Sequence, residues 1–195
     1  MEHAWGAMAG RFEAYRMVSP GDQSFICQPE TCNAHCCRAF SVSLGEREAE
    51  RMRRSSGRAW VEFLETDGDT LIELPLAQPY LLKRTEGKCH LLLENLACGE
   101  YHGRPDACRL YPHFVIMVDR QSGKPVHGDV AGIRAATERA LTGALHERLL
   151  PLLLRHVECP GFTGPPLSDG DWFALLERTA RLQYPAGWPG VSPVE

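Results

Sequence analysis

Eight cysteines supply the chemistry available to this sequence. Four of them, Cys27, Cys32, Cys36 and Cys37, fall in the pattern C-x4-C-x3-C-C. Cys89, Cys98 and Cys108 follow, and Cys159 stands directly before Pro160. Thiolates are the soft ligands that zinc and iron–sulfur clusters take. The pattern therefore points to a metal centre, with all eight cysteines as candidate ligands. The gaps from Cys27 to Cys32 and from Cys32 to Cys36 lie in the range from which two side chains converge on one ion. The vicinal pair is harder to place. Adjacent side chains point to opposite sides of an extended backbone and diverge by about 100° on a helix. Cys36 and Cys37 are thus expected to serve different centres, or to divide into one ligand and one packed or hydrogen-bonded thiol. Eight thiols suffice for two four-ligand sites, or for one cluster with extra reactive or buried thiols. His35, His90, His102 and His113 lie within a few residues of cysteines and are candidate substitutes.

Spacing does not choose the metal. The paired C-x2-C knuckles of zinc ribbons are absent. The plant-type ferredoxin run C-x4-C-x2-C is missed by one residue. A radical-SAM triad would need a cysteine where Ala39 stands. Thiols outnumber the needs of one Zn²⁺, which tips the reading toward an iron–sulfur cluster. Plainer readings compete. Buried cysteines can be small hydrophobes, an even count permits disulfides, and exposed low-pKa thiols make a redox or metal sensor.

The rest of the chain must position these thiols. At 195 residues it fits one compact domain with short appendages, and a chain of this size buries about 70% of its unfolded surface. A normal apolar core is available, so the cysteines are not needed as staples. The net charge is −4 and the pI about 6.1, which argues against a nucleic-acid partner. The basic group Arg51, Arg53, Arg54 and Arg58 reads as a solvated helix face. The first residues are broken by charge and lack an apolar signal core. The longest apolar run, residues 149–154, contains Pro151 and is too short to span a bilayer. A cytoplasmic protein without a membrane partner is expected, and reduced thiols there favour metal over disulfides.

Trp5, Met8, Phe12 and Tyr15 recur at helical steps and predict a helix within residues 1–20. Residues 18–39 read as an irregular ligand loop. Ser43 and Glu46 form an S-x-x-E signature opening a helix over about 44–55. Between 59 and 118 the runs AWVEFLE, TLIEL, YLLKR, CHLLL and HFVIMV read as short antiparallel strands. Asp119 to Lys124 reads as a turn. Residues 130–157 read as helix, divided at Pro151. A last helix opens at Ser168 as N-cap, with Asp171 three residues on, before a loose tail. The fold class is α+β: a small irregular domain with short antiparallel strands and flanking helices around a cysteine-ligated metal centre. The expected division is an N-terminal helix (1–20), a cysteine-cluster domain (21–165), and a C-terminal helix with its tail (166–195).

The segments CQPETCNAHCC, SVSLGEREAERM, GKCHLLLENLACGEYHGRPDACRLYP and ECPGF resemble the YkgJ-type cysteine-cluster family, over roughly the central two-thirds of the chain. That family is described as a zinc- or iron-chelating domain and is related to the flagellin lysine N-methylases. The resemblance implies that Cys27, Cys32, Cys36, Cys37, Cys89, Cys98 and Cys108 are cluster thiols, with Cys159 as the late cysteine. It also opens an alternative, a protein lysine N-methylase-like enzyme or its accessory subunit, and leaves room for a protein partner. No G-x-G nucleotide loop is present for methyl transfer. Within R-P-D-A-C-R-L-Y-P, Pro105 suits a helix start or tight turn before Cys108. Arg104 and Arg109 are placed to offset the charge of several thiolates.

Overall fold

The computed structural model describes residues 5–6, 9–76, 78–119, 121–125 and 149–183. They fall into two units, one spanning Cys27–Tyr111 and the other holding the described residues of Met1–Ile26 and Pro112–Glu195. Both combine helices with short antiparallel strands.

The second of these units is built on a three-stranded antiparallel sheet. Strands β1 (Tyr15–Met17), β9 (His113–Asp119) and β10 (Leu149–His156) lie in the order β1-β10-β9. The expected helix over 130–157 is corrected here: residues 130–148 lie outside the described residues, and 149–156 form a strand. Alternation explains why. Leu153 and Val115 face one apolar cluster with Leu175 and Leu176, while Leu152, Leu154, Ile116 and Val118 face another. An unbroken apolar run suits a strand covered on both sides. Pro151 is tolerated because β1 pairs only with residues 154–156 of β10, leaving Pro151 paired to β9 alone.

The helix expected near the start is described only in part: Trp5 and Gly6 are helical, and residues 1–4 and 7–8 lie outside the described residues. Ala9–Arg11 is a single 3-10 turn and Tyr15 already belongs to β1. Trp5, Phe12 and Tyr15 still cover the cluster on one sheet face; Met8 lies outside the described residues. A second antiparallel pair joins β2 (Gln23–Phe25) to β11 (Phe162–Pro166). The Asp119–Lys124 turn is present: Asp119 Oδ1 accepts from the amides of Gln121 and Ser122. The last helix spans Asp169–Gln183, and Ser168 Oγ accepts the Asp171 amide at 3.1 Å as a cap should. Trp172 Nε1 donates to the Val18 carbonyl at 2.7 Å, tying this helix to the chain beyond β1.

The Cys27–Tyr111 unit has almost no long elements. Helix α1 is His35–Ala39, α2 is Glu46–Ser56, α3 is Trp60–Phe63 and α4 is Asp106–Leu110. Its strands are two residues each: β3 (Ser43–Leu44) pairs with β6 (Tyr80–Leu81), β4 (Thr66–Asp67) with β5 (Thr70–Leu71), and β7 (Arg84–Thr85) with β8 (Lys88–Cys89). Leu44, Ala49, Met52, Phe63, Leu64 and Leu82 form its buried core. Two expectations shift. Residues 60–63, within the AWVEFLE run, are helical, and Glu62 accepts the Ala59 amide at 2.6 Å. The start of α2 is capped through Gly45, whose amide donates to Glu48 Oε2 at 3.0 Å. Ser43 is drawn into β3 instead, with its hydroxyl on Gln78. Arg53 and Arg54 both pair with Glu50 on the exposed face of α2. No helix among the described residues is long and apolar enough to cross a membrane.

His113 is buried on β9 between the rings of Phe25 and Phe162, and its Nε2 has no hydrogen-bond partner among the described residues. Burial, reinforced by Arg178 and Arg155, lowers its pKa from 6.5 to about 4. The unfolded chain takes up a proton between these values that the folded chain refuses. The neutral ring therefore adds no penalty above about pH 6.5, and stability is lost as pH falls toward 4. His113→Phe should remove that loss. The difference in urea midpoint between wild type and variant should change between pH 7 and pH 4.5, and a constant difference would contradict the assignment.

Candidate metal centre

Four short structures present the thiols of the Cys27–Tyr111 unit. The chain enters α1 through Ala34, which is buried and holds the left-handed backbone at φ 56°. The Ala34 amide donates to Cys32 Sγ at 3.3 Å. Cys36 and Cys37 follow on α1, and their sulfur atoms lie only 3.9 Å apart. The helical divergence of neighbouring residues does not separate the vicinal pair. Next, Glu86 and Gly87 both have positive φ, making a two-residue turn that fixes the register of β7 and β8 and sets Cys89 directly across from Arg84. Cys98 is held by a bridge to Leu92 and by the Gly99 amide on the Leu91 carbonyl at 2.8 Å. Cys108 sits on α4, immediately behind Pro105 at the N-cap position.

Cys36, Cys37, Cys89, Cys98 and Cys108 line one cavity of ≈ 50 Å³. Arg84 and Arg104 line it too, over an apolar floor that includes Val42, Leu82 and Leu91. Sequence segments remote from one another thus meet at one place. Cys27 is exposed and Cys32 half-buried, and neither lines the cavity. Cys159 is buried in the other unit, its amide on the His156 carbonyl at 3.3 Å. Among the described residues, no histidine lines the cavity. His35 packs on the rings of Phe40 and Tyr111, His90 Nδ1 faces Thr85 Oγ1 at 3.3 Å, His102 packs on Tyr101, and His113 belongs to the other unit. A wider concavity of ≈ 430 Å³ beside Asn33, His35 and Arg38 is open to solvent and has no sulfur lining.

The donor set fits a thiophilic ion. At a metal–sulfur distance of about 2.3 Å, tetrahedral ligands stand about 3.8 Å apart, close to the Cys36–Cys37 separation. Among the described residues, however, no three His, Cys, Asp or Glu side chains are gathered tightly enough about one point to hold an ion. The thiols line the space without converging.

Their electrostatics are uneven. Hydrogen bonding with Cys37 lowers Cys36 to about 7, with Arg104 helping. Cys89 is likewise lowered to about 7, first by Cys37 and then by the Leu91 amide and Arg84. Cys37 is the shared donor and is pushed up, since its proton serves either neighbour, one at a time. Burial raises Cys98. Burial, together with the charges of Cys89, Cys98 and Cys36, pushes Cys108 up to about 12. Burial and the nearby Cys36 raise Cys27.

Of the two arginines singled out in the sequence, Arg104 stands at the cavity, with its guanidinium 3.8 Å from the centre of the Tyr101 ring. Arg109 is instead exposed and pairs with Asp106 at 3.3 Å. Arg84, which no sequence motif marks, also lines the cavity. Its guanidinium donates to the carbonyls of Phe40, Arg38 and Gly87, joining the end of α1 to the Cys89 hairpin. The Glu86-Gly87 turn was the available signal, because it places Arg84 opposite Cys89.

The sequence model of a protein family, CxxCxxCC, described as "Putative zinc- or iron-chelating domain", matches residues 26–130, more than half of the chain. No curated protein and no solved structure matches.

A thiol donor shared by two neighbours predicts a labelling pattern. In metal-free, reduced protein at pH 7, iodoacetamide should modify Cys36 and Cys89 before Cys98 and Cys108. Cys37→Ala removes the donor, so Cys36 and Cys89 should become weaker acids. The smaller thiolate fraction outweighs the gain in nucleophilicity, and their labelling should slow about tenfold. Peptide mass spectrometry reads this, and unchanged rates at both sites would count against the shared proton.

Proposed function

Because the chain belongs to the CxxCxxCC family of zinc- or iron-chelating domains, we propose that the Cys27–Tyr111 unit binds one metal ion through thiolates. The observation that carries this reading is the meeting of α1, the Cys89 hairpin, Cys98 and Cys108 around a single cavity. Cys36, Cys37, Cys89 and one or both of Cys98 and Cys108 would hold the ion, which would act as a cross-link between segments remote in sequence. A volume of ≈ 50 Å³ exceeds the about 10–15 Å³ that one water occupies by only a few-fold. This favours a single ion, Zn²⁺ or iron, over an iron–sulfur cluster. Cys27, Cys32 and Cys159 are the remaining candidates.

Four thiolates on a divalent ion carry a net charge of −2, which Arg84 and Arg104 are placed to offset. On binding, the ion would replace the proton of Cys37, released to solvent, as the partner of Cys36 and Cys89. Arg104 and Arg84 would screen the anionic sulfurs, and the apolar floor would back the site.

Elemental analysis of anaerobically purified protein should find about one zinc or iron per chain. Cys36→Ala and Cys89→Ala should abolish retention of that metal, whereas Cys27→Ala and Cys159→Ala are read beside them to settle the outer candidates. Thiolate zinc is worth about 10–16 kcal/mol in zinc-finger peptides, as much as a whole domain's stability. Chelation should therefore lower the thermal midpoint sharply. A brown protein with acid-labile sulfide would replace the single ion by a cluster, and protein with no metal and no uptake of Zn²⁺ or Fe²⁺ would end the proposal.

A further inference from the structure

Helix α2 carries Glu48, Arg51 and Ser55 at spacings of three and four residues, which align them in one stripe. All three direct polar atoms at residues 100–106. Glu48 Oε1 accepts the Asp106 amide at 2.7 Å, while its Oε2 accepts from the Gly45 amide and from Gln78 Nε2. Arg51 Nη2 donates to the Arg104 carbonyl at 3.1 Å and to Asp106 Oδ1 at 2.7 Å. Ser55 Oγ donates to Glu100 Oε1 at 2.5 Å, and the same oxygen accepts the Gly103 amide at 2.9 Å. Glu48 and Glu100 are 7% and 6% exposed, so these are buried charge-assisted bonds, costly to lose. Gly103 completes the fit: a β-carbon there would lie 2.6 Å from both Glu100 Oε1 and the Ser55 β-carbon.

The segment so held runs between Cys98 and Cys108 and supplies Arg104 to the cavity. No member of the stripe lines that cavity. Cys98 and Cys108 have no long helix or strand of their own to fix them; α4 is five residues long and starts at the Asp106 amide that Glu48 holds.

We propose that the Glu48–Arg51–Ser55 face of α2 is the positioning device of the metal centre, holding the segment that joins Cys98 to Cys108 and carries Arg104 at the cavity where the ion would bind. The inference rests on the metal-binding reading above. The stripe acts through hydrogen bonds to the backbone and to the carboxylates of Glu100 and Asp106, so it stands to the ligands as outer partners stand in metal sites generally, where their loss costs about 10–100-fold in affinity.

The test uses the full chain with Zn²⁺ as probe, in competition with a chromophoric chelator, and follows alkylation of each cysteine in the metal-free state. Ser55→Ala and the milder Glu48→Gln should each weaken Zn²⁺ binding about 10–100-fold. Metal-free variants should show faster alkylation at Cys98 and Cys108, with Cys89, whose partners lie outside the held segment, unchanged. Ser55→Thr keeps the hydroxyl and should restore both readouts. A merely stabilising stripe would instead raise alkylation at all these cysteines together, and that result overturns the proposal. So does unchanged affinity in a folded Ser55→Ala chain. If the wild-type chain takes up no Zn²⁺, the metal reading itself fails. The cysteine-selective alkylation then still supports the hold of α2 on this segment, and its absence refutes it.

Discussion

Ionising any one thiol in the cavity makes every other thiol there harder to ionise. Five sulfur atoms share the space over an apolar floor, and low polarity magnifies each repulsion. Cys108 shows the limit: burial and three neighbouring sulfurs push it up to about 12. Only a few features oppose this. Cys37 lends its proton to either neighbour, and the guanidinium groups of Arg84 and Arg104 stand at the wall. A dication is the partner that would resolve the conflict for all the sulfurs at once. The arginine placement, the backbone donors and the grip of α2 are all intelligible as support for that partner.

The same constraint accounts for the economy of the Cys27–Tyr111 unit. Its named strands are two residues each, and α2 is its one helix longer than five residues. Its apolar core gathers behind α2 and ends at the cavity floor, where Leu82 and Leu91 meet the thiols. A core that stops at a set of mutually repelling sulfurs leaves the loops beyond it with little to order them. Polar contacts take over that task, from Glu48 and Ser55 on one side and from Arg84 on the other. Arg84 reaches three carbonyls from two segments, which links the vicinal cysteines to the hairpin that carries Cys89.

Much of this was legible in the sequence, for reasons that differ by residue. The thiol pattern and the R-P-x-x-C-R stretch carry local chemistry, and five of the eight cysteines they mark line one cavity. Ser168 capping the last helix and the turn at Asp119 depend on neighbours two or three residues away, and both are legible directly. Residues 149–156 were misread because period 3.6 and an unbroken apolar run are satisfied by the same leucines; the choice of strand was made by partners on β1 and β9. The nearness of Cys36 and Cys37 sulfurs was missed because backbone divergence says little about where flexible side chains end. Glu48, Ser55 and Arg84 were invisible for another reason. Their partners are backbone groups and one carboxylate brought in by the tertiary fold, and no spacing rule encodes those.

The acid strengths of the thiols also imply an order of assembly in the proposed centre. Cys36 or Cys89, lowered to about 7 with the proton of Cys37 as partner, offers a thiolate near neutral pH, one at a time. They lie on α1 and on the hairpin, the two pieces that Arg84 joins. An ion captured there would bring two positive charges close to Cys98 and Cys108, whose protons burial otherwise retains. Their release would follow capture, since a bound metal deprotonates its thiol ligands. Closure of the site would then draw on the segment that α2 holds by hydrogen bonds. In the proposed centre the stripe on α2 would thus bear on the second half of metal binding, after capture by thiols that it does not touch.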